Sequence, residues 1–292
     1  MQAGTKSRDW NCPSSSHGFW TASSPPRRRR LPERRRFLSD EYDQQTGGSV
    51  SAAQPRAFWR VRVPYSLEQI RVYNVDDSAS QTIKDEEGTT LESALGLYFS
   101  RDSRNKVFVP TQGSRISAGG KYAGGPLGAD SDYYELELNG AKFIPLWFEH
   151  VLGIRGALKT VDTHSGATRV AIFNRLFMGG PRTVRAFKYR KVGPRDEDNE
   201  PVGGLSTAFA SAEYTIPVVK MIRLATFYDA GYCNPDSYDF NQDPGLSTGA
   251  GVGFRFDLPQ FPLQLDYAWP LESGPENENP SGRFSFFIGH TF

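Results

Sequence analysis

Met178-Gly-Gly-Pro-Arg-Thr-Val-Arg-Ala-Phe-Lys-Tyr-Arg190 belongs to neither of the strand-like regions that flank it. Gly179, Gly180 and Pro181 interrupt any strand and open a loop. Val184-Arg185-Ala186-Phe187 then places one arginine among apolar residues. If that arginine is buried it needs a partner, because removing one member of a buried ion pair costs about 3–5 kcal/mol. Two acids downstream could serve: Glu213 in Ala-Ser-Ala-Glu-Tyr-Thr-Ile-Pro and Asp229 in Thr-Phe-Tyr-Asp-Ala-Gly-Tyr.

Outward from this loop, the residues alternate with a period of two, which predicts strands. The expected spans are 60–75, 91–104, 114–123, 133–144, 150–161, 168–177, 203–216, 220–232, 246–258, 263–271 and 283–292, about eleven in all. Tyr134, Leu136 and Leu138 share one face, with Glu135, Glu137 and Asn139 on the other. Phe209, Ser211 and Glu213 fall on the more polar face of one strand, and Arg223, Phe227 and Asp229 on that of the next. A loop arginine could therefore reach both acids. Further on, Val252 and Phe254 point one way and Gly253 and Arg255 the other, while Asp266 opposes Leu265 and Tyr267. Pro217 suits a short turn between two strands.

Composition agrees with an all-β chain. Aromatic residues are 13% of the 292 and glycines number 29, which suits many short strands and turns. No run of about 18 apolar residues occurs, so no transmembrane helix is expected. Mean hydropathy is −0.52, which is compatible with a barrel that shows only alternate residues to lipid. The net charge of +1 names no partner. Cys12 and Cys233 lie far apart and have no metal-ligand spacing.

Residues 1–55 read differently. Ser23-Ser24-Pro25-Pro26, Arg27–Arg30 and Arg34–Arg36 make a Ser/Pro/Arg-rich stretch, expected to be a disordered tail or a mistaken start of the gene model. It contains no apolar core of a secretory signal. It also lacks the interleaved aromatics of a nucleic-acid arm, so no nucleic-acid partner is expected. The barrel domain is assigned to 56–292.

The motif string resembles a known family. Gly-Gly-Pro-x-x-Val-Arg-x-Phe, then Ala-Glu-Tyr, then Phe-Tyr-Asp-Ala-Gly and a terminal Phe292, is similar to the barrel of the bacterial surface-antigen family of outer-membrane assembly factors. Ser100-Arg101-Asp102-Ser103-Arg104 followed by Pro110 and Gly113 matches a hairpin of that family, and the likeness runs over roughly 62–292. The resemblance implies an antiparallel transmembrane β-barrel in the bacterial cell outer membrane, with a long loop folded into its lumen. It gives Val184, Arg185, Ala186 and Phe187 the place of the loop motif, Gly179 and Gly180 its turn, and Glu213 and Asp229 the anchoring acids. Phe284, Phe286, Ile288, His290 and Phe292 take the place of the seam strand and C-terminal sorting signal.

The family has glycine where this chain has Ala186. If that position needs positive φ, alanine is strained there. The family barrel has about sixteen strands, an even number as in other single-chain bacterial barrels. About eleven make an incomplete one, with the first strands, the periplasmic domains and a signal expected upstream. The implied function is folding and insertion of β-barrel clients, with outer-membrane lipid and accessory lipoproteins as partners. A protein-exporting transporter of the same superfamily and a passive porin are the alternatives.

Enzymatic chemistry is not expected. His17, His150, His164 and His290 are scattered, and no nucleophile elbow, phosphate loop or zinc spacing occurs. Asp236, Asp239 and Asp243 with Asn234 and Asn241 suggest a solvated loop, with a calcium loop as the alternative. No cofactor, metal or catalytic residue is assigned.

Overall fold

The computed structural model describes residues 33–36, 43–46, 48–56, 58–73, 75, 81–164, 166–241, 245–258, 262–274 and 281–288. They form one antiparallel sheet. Its main run is β4 (Trp59–Tyr73), β5 (Gly88–Asp102), β6 (Gly113–Ala123), β7 (Tyr133–Pro145), β8 (Val151–Thr163), β9 (Ser206–Val219), β10 (Ile222–Asn234), β11 (Ser247–Phe256), β12 (Leu263–Glu272) and β13 (Arg283–Ile288). Each pairs with the next in the chain. Three strands precede them: β1 (Glu33–Arg36), β2 (Asp43–Thr46) and β3 (Gly48–Arg56), with β2 and β3 both pairing β4 and β1 pairing β2. These lie inside the stretch read from sequence as a tail. Among the described residues the sheet is a continuous ladder from β1 to β13, and no pairing joins its two ends.

Two expectations about the main run need correction. Residues 168–177 form no strand: they carry a 3₁₀ turn at Ile172–Asn174 and belong to the long connection between β8 and β9. Their apolar residues, Val170, Ile172 and Leu176, are buried because that connection packs on the sheet, so burial rather than strand geometry accounts for the pattern. Pro217 is not in the turn but inside β9, opposite Arg223, at a register shift. The pairing of β8 with β9 ends at Val151↔Thr215, so the missing N–H of Pro217 costs no ladder bond on that side. The connection after β4 holds one short helical turn, Gln81–Lys84. His17, Cys12, Asp243, His290 and Phe292 lie outside the described residues, as do 23–30.

The two faces of the sheet differ as the alternation requires. On the outer face Leu97, Leu136, Leu138, Ile154, Val252 and Phe254 are exposed. On the inner face Glu92, Arg155, Ser211, Asp229, Arg255 and Asp266 are buried, together with Phe209 and Phe227. What buries them is the connection of residues 164–205, which lies on that face. The connections fall at two rims: 103–112, 146–150 and 220–221 share one, and 124–132, 164–205 and 235–246 share the other, which carries the longest of them. Gly113, which follows the turn 103–112, adopts φ 100°, where a side chain would be strained. Within that turn Asp102 clamps Arg104 through two bonds of 2.9 and 2.7 Å.

Candidate functional site: the loop tip and its charged seat

The tip of the long connection is a closed turn. Met178 and Val192 bridge its base, the Gly180 N–H donates to the Phe187 carbonyl at 2.9 Å, and the Gly179 N–H donates to Thr183 Oγ1 at 3.0 Å. Gly179 and Gly180 have φ of 110° and 93°, so both use backbone conformations that side chains disfavour. Val184, Ala186 and Phe187 pack with Met178, Val192, Phe209, Phe227, Cys233 and Ala268 into one buried cluster. This apolar seat fixes the tip and directs the side chain between Val184 and Ala186 at the wall.

That side chain, Arg185, is 1% exposed. Its Nε and Nη2 donate to Asp229 Oδ2 and Oδ1 at 2.7 and 2.8 Å, and its own backbone N–H reaches Oδ2 at 3.2 Å. Nη1 donates to Glu213 Oε2 at 2.8 Å and lies 3.7 Å from Asp266 Oδ2. The guanidinium carbon stands 3.4 Å from the centroid of the Phe227 ring. Burial alone would lower the pKa of Arg185, but the Asp229 hydrogen bonds and the charges of Asp229, Glu213 and Asp266 outweigh it and raise it, so the group stays charged. Glu213 faces Phe227 across the β9–β10 ladder, and Asp229 lies two residues further along β10 opposite Ser211. The two carboxylates are thus diagonal neighbours on one face.

Three residues of this seat went unassigned in the sequence reading. Arg255 donates to Glu213 at 2.9 and 2.6 Å and to Asp266 Oδ1 at 2.6 Å. Arg155 donates to Ser211 Oγ at 3.2 Å, the hydroxyl that also accepts from Arg185. The cluster therefore holds Arg155, Arg185 and Arg255 against Glu213, Asp229 and Asp266, and its formal charges cancel. Alternation had already placed Arg255 and Asp266 on the inner face. Pairing them requires the register of β11 with β12, in which Asp266 stands opposite Gly253 and diagonal to Arg255.

The Omp85 superfamily domain matches residues 14–292. The chain belongs to the Omp85 superfamily. It is 31% identical over 263 residues to the outer membrane protein assembly factor BamA of Nitratidesulfovibrio vulgaris, covering 88% of this chain and 33% of that protein. The crystal structure of Haemophilus ducreyi BamA lacking POTRA domains 1–3 superposes with a TM-score of 0.71 at 21% identity, covering 85% of this chain and 55% of that one. CdiB from Escherichia coli superposes with a TM-score of 0.58 at 16% identity, covering 85% and 45%. The chain thus spans about a third of the BamA relative's length, and the two structural likenesses show the fold. Membership places the chain in a superfamily without enzymatic activity.

Ala186 of this Omp85 chain is not among the described residues with positive φ, so alanine is unstrained at the position where the resembling family has glycine. Its methyl group instead needs room, which Gly249 of β11 supplies: a Cβ at 249 would stand 2.6 Å from that of Ala186. Cys233 is a free thiol buried in the wall, and loop glycines 193 and 204 give it clearance.

The root of the loop is held separately. Asn174 Nδ2 donates to Glu92 Oε2 at 3.0 Å, while Tyr133 Oη at 2.9 Å and Lys121 Nζ at 3.2 Å approach Oε1. The Ile172 N–H donates to Glu86 Oε1 at 3.3 Å. None of these residues stood out in the sequence.

Asn234 closes the acidic loop by donating from Nδ2 to the carbonyls of Asp239 and Asn241, at 2.8 and 2.9 Å. Among the described residues, no group of three or more His, Cys, Asp or Glu is placed to hold a metal ion. Of the expected terminal strand, Phe284, Phe286 and Ile288 share one exposed face.

Proposed function

We propose that this chain is part of an outer-membrane β-barrel that assists the folding and insertion of β-barrel clients; its BamA relatives are named outer membrane protein assembly factors. The observation that carries the reading is Arg185 of an inward-folded loop seated on Glu213, Asp229 and Asp266. A loop pinned by buried ion pairs fills the space that a passive pore would leave open, which argues against a porin. The role of Arg185 is structural: it holds the loop on the wall and performs no bond chemistry.

The outer face suits lipid. Leu97, Leu136, Leu138, Ile154 and Val252 form an exposed aliphatic band. Tyr122, Tyr134, Tyr238 and Trp269 lie towards the long-connection rim, and Phe148, His150 and Tyr214 towards the other. Aromatic belts on either side of an apolar band are what a bilayer-spanning barrel presents. β13 would form one side of a seam that templates incoming strands by β-augmentation. Clients would be unfolded β-barrel proteins, and accessory lipoproteins the partners.

The test is reconstitution. Liposomes carrying this protein should accelerate folding of a denatured test barrel over empty liposomes, and planar bilayers should show no steady porin-like conductance. No acceleration, or steady conductance, would remove the insertase reading.

A further inference from the structure

We propose that Arg182 is a positioning residue that latches the loop tip to the terminal strand β13. Seating of the loop and availability of the β13 edge then become a single equilibrium. The inference rests on reading β13 as one side of a seam.

The charged seat ends at Asp266 in β12. The next strand, β13, sets Ser285 opposite Asp266, Phe287 opposite Gln264 and Arg283 opposite Ala268. Its inner face therefore offers no carboxylate to a loop arginine. It offers an aromatic ring instead, and the exposed Arg182 places its guanidinium carbon 5.0 Å from the centroid of Phe287. A cation over a ring face is held by the ring quadrupole, and arginine is the usual cation.

Arg182 and Arg185 lie in the same closed turn, whose ends are tied by the bond from Gly180 to Phe187. The two arginines must move together. Arg185 grips β9, β10 and β12, while Arg182 reaches β13, so one tip touches both the fixed wall and the strand at its end. Among the described residues β13 pairs with β12 alone, over six positions. A single extra contact on so short a strand has a proportionately large effect on how often its edge opens.

Hydrogen–deuterium exchange of the full chain in liposomes tests this. Arg182→Ala and Phe287→Leu should each speed exchange of amides 283–288 by about two- to fivefold, the weight of one partly exposed cation–π contact. Amides 206–234 should be unchanged, which shows that each variant has folded. The double variant should exchange no faster than either single one, and Arg182→Lys should exchange more slowly than Arg182→Ala. Unchanged exchange at 283–288 in Arg182→Ala, or an additive double variant, would overturn the latch. A wild-type protein that gives these exchange results but does not accelerate client folding keeps the latch and removes the insertase reading.

Discussion

The tip and the root of the long loop are held to the same wall by different means. At the tip, three arginines and three carboxylates interlock below the surface, with Asp229 fully buried. At the root, one carboxylate, Glu92, gathers an amide, a phenol and a half-exposed lysine. Both are hydrogen-bond networks, but only the tip holds charges whose neutrality depends on the loop itself. The wall without its loop would contain Arg155 and Arg255 facing Glu213, Asp229 and Asp266. Removing the Arg185 side chain alone thus leaves net negative charge in a place that the loop still covers. Removing the root contact leaves Glu92 with Lys121 still beside it.

The difference can be broken at four points. Arg185→Ala should have the largest effect, about 3–5 kcal/mol, because it strands Asp229 without its partner. Loss of heat-modifiability on gels, or a lowered unfolding midpoint, would register it, and unchanged mobility would mean that the tip does not hold the fold. Glu92→Ala should cost about 1–3 kcal/mol, since three donors lose one shared acceptor. Its unfolding midpoint should fall less than that of Arg185→Ala, and an equal fall would erase the distinction between the two anchorages.

Gly249→Ala should cost about 1–3 kcal/mol through a clash with Ala186. The pairing makes a sharper claim than the magnitude: Ala186→Gly in the same chain should restore most of the lost stability in urea titrations, and a failed rescue would discard the proposed fit. Asn174→Ala should have the smallest effect, about 1 kcal/mol, because Glu92 keeps Lys121 and Tyr133. Limited proteolysis near residue 174 should speed up while the tip stays protected. A protease-sensitive tip in this variant would show that root and tip release together.

The same contrast explains what could be read in advance. Arg185 was legible because an arginine enclosed by Val184, Ala186 and Phe187 is chemically out of place unless paired. Glu213 and Asp229 were legible because the alternation puts each on the more polar face of its strand, where a loop arginine could reach both. Arg255 and Asp266 had their faces assigned but not their meeting, which depends on the offset between β11 and β12. Glu92, Tyr133 and Asn174 gave no warning, since each is ordinary in its own segment and they come together only when the loop lies down. The error at 168–177 has the same origin: apolar residues are buried there by a loop packed on a sheet, and local periodicity cannot tell this from a strand.

By itself, the order of residues determined most strands of the main run, their two faces and the arginine that had to find an acid. These follow from the period of two along an extended chain and from the expense of an unpaired buried charge, both of which are local. The tertiary structure alone decided which six side chains form the neutral cluster, that Gly249 makes room for Ala186, and that Arg182 reaches the terminal strand. Those depend on inter-strand register and on where a loop of some forty residues comes to rest, and no short window of sequence specifies either.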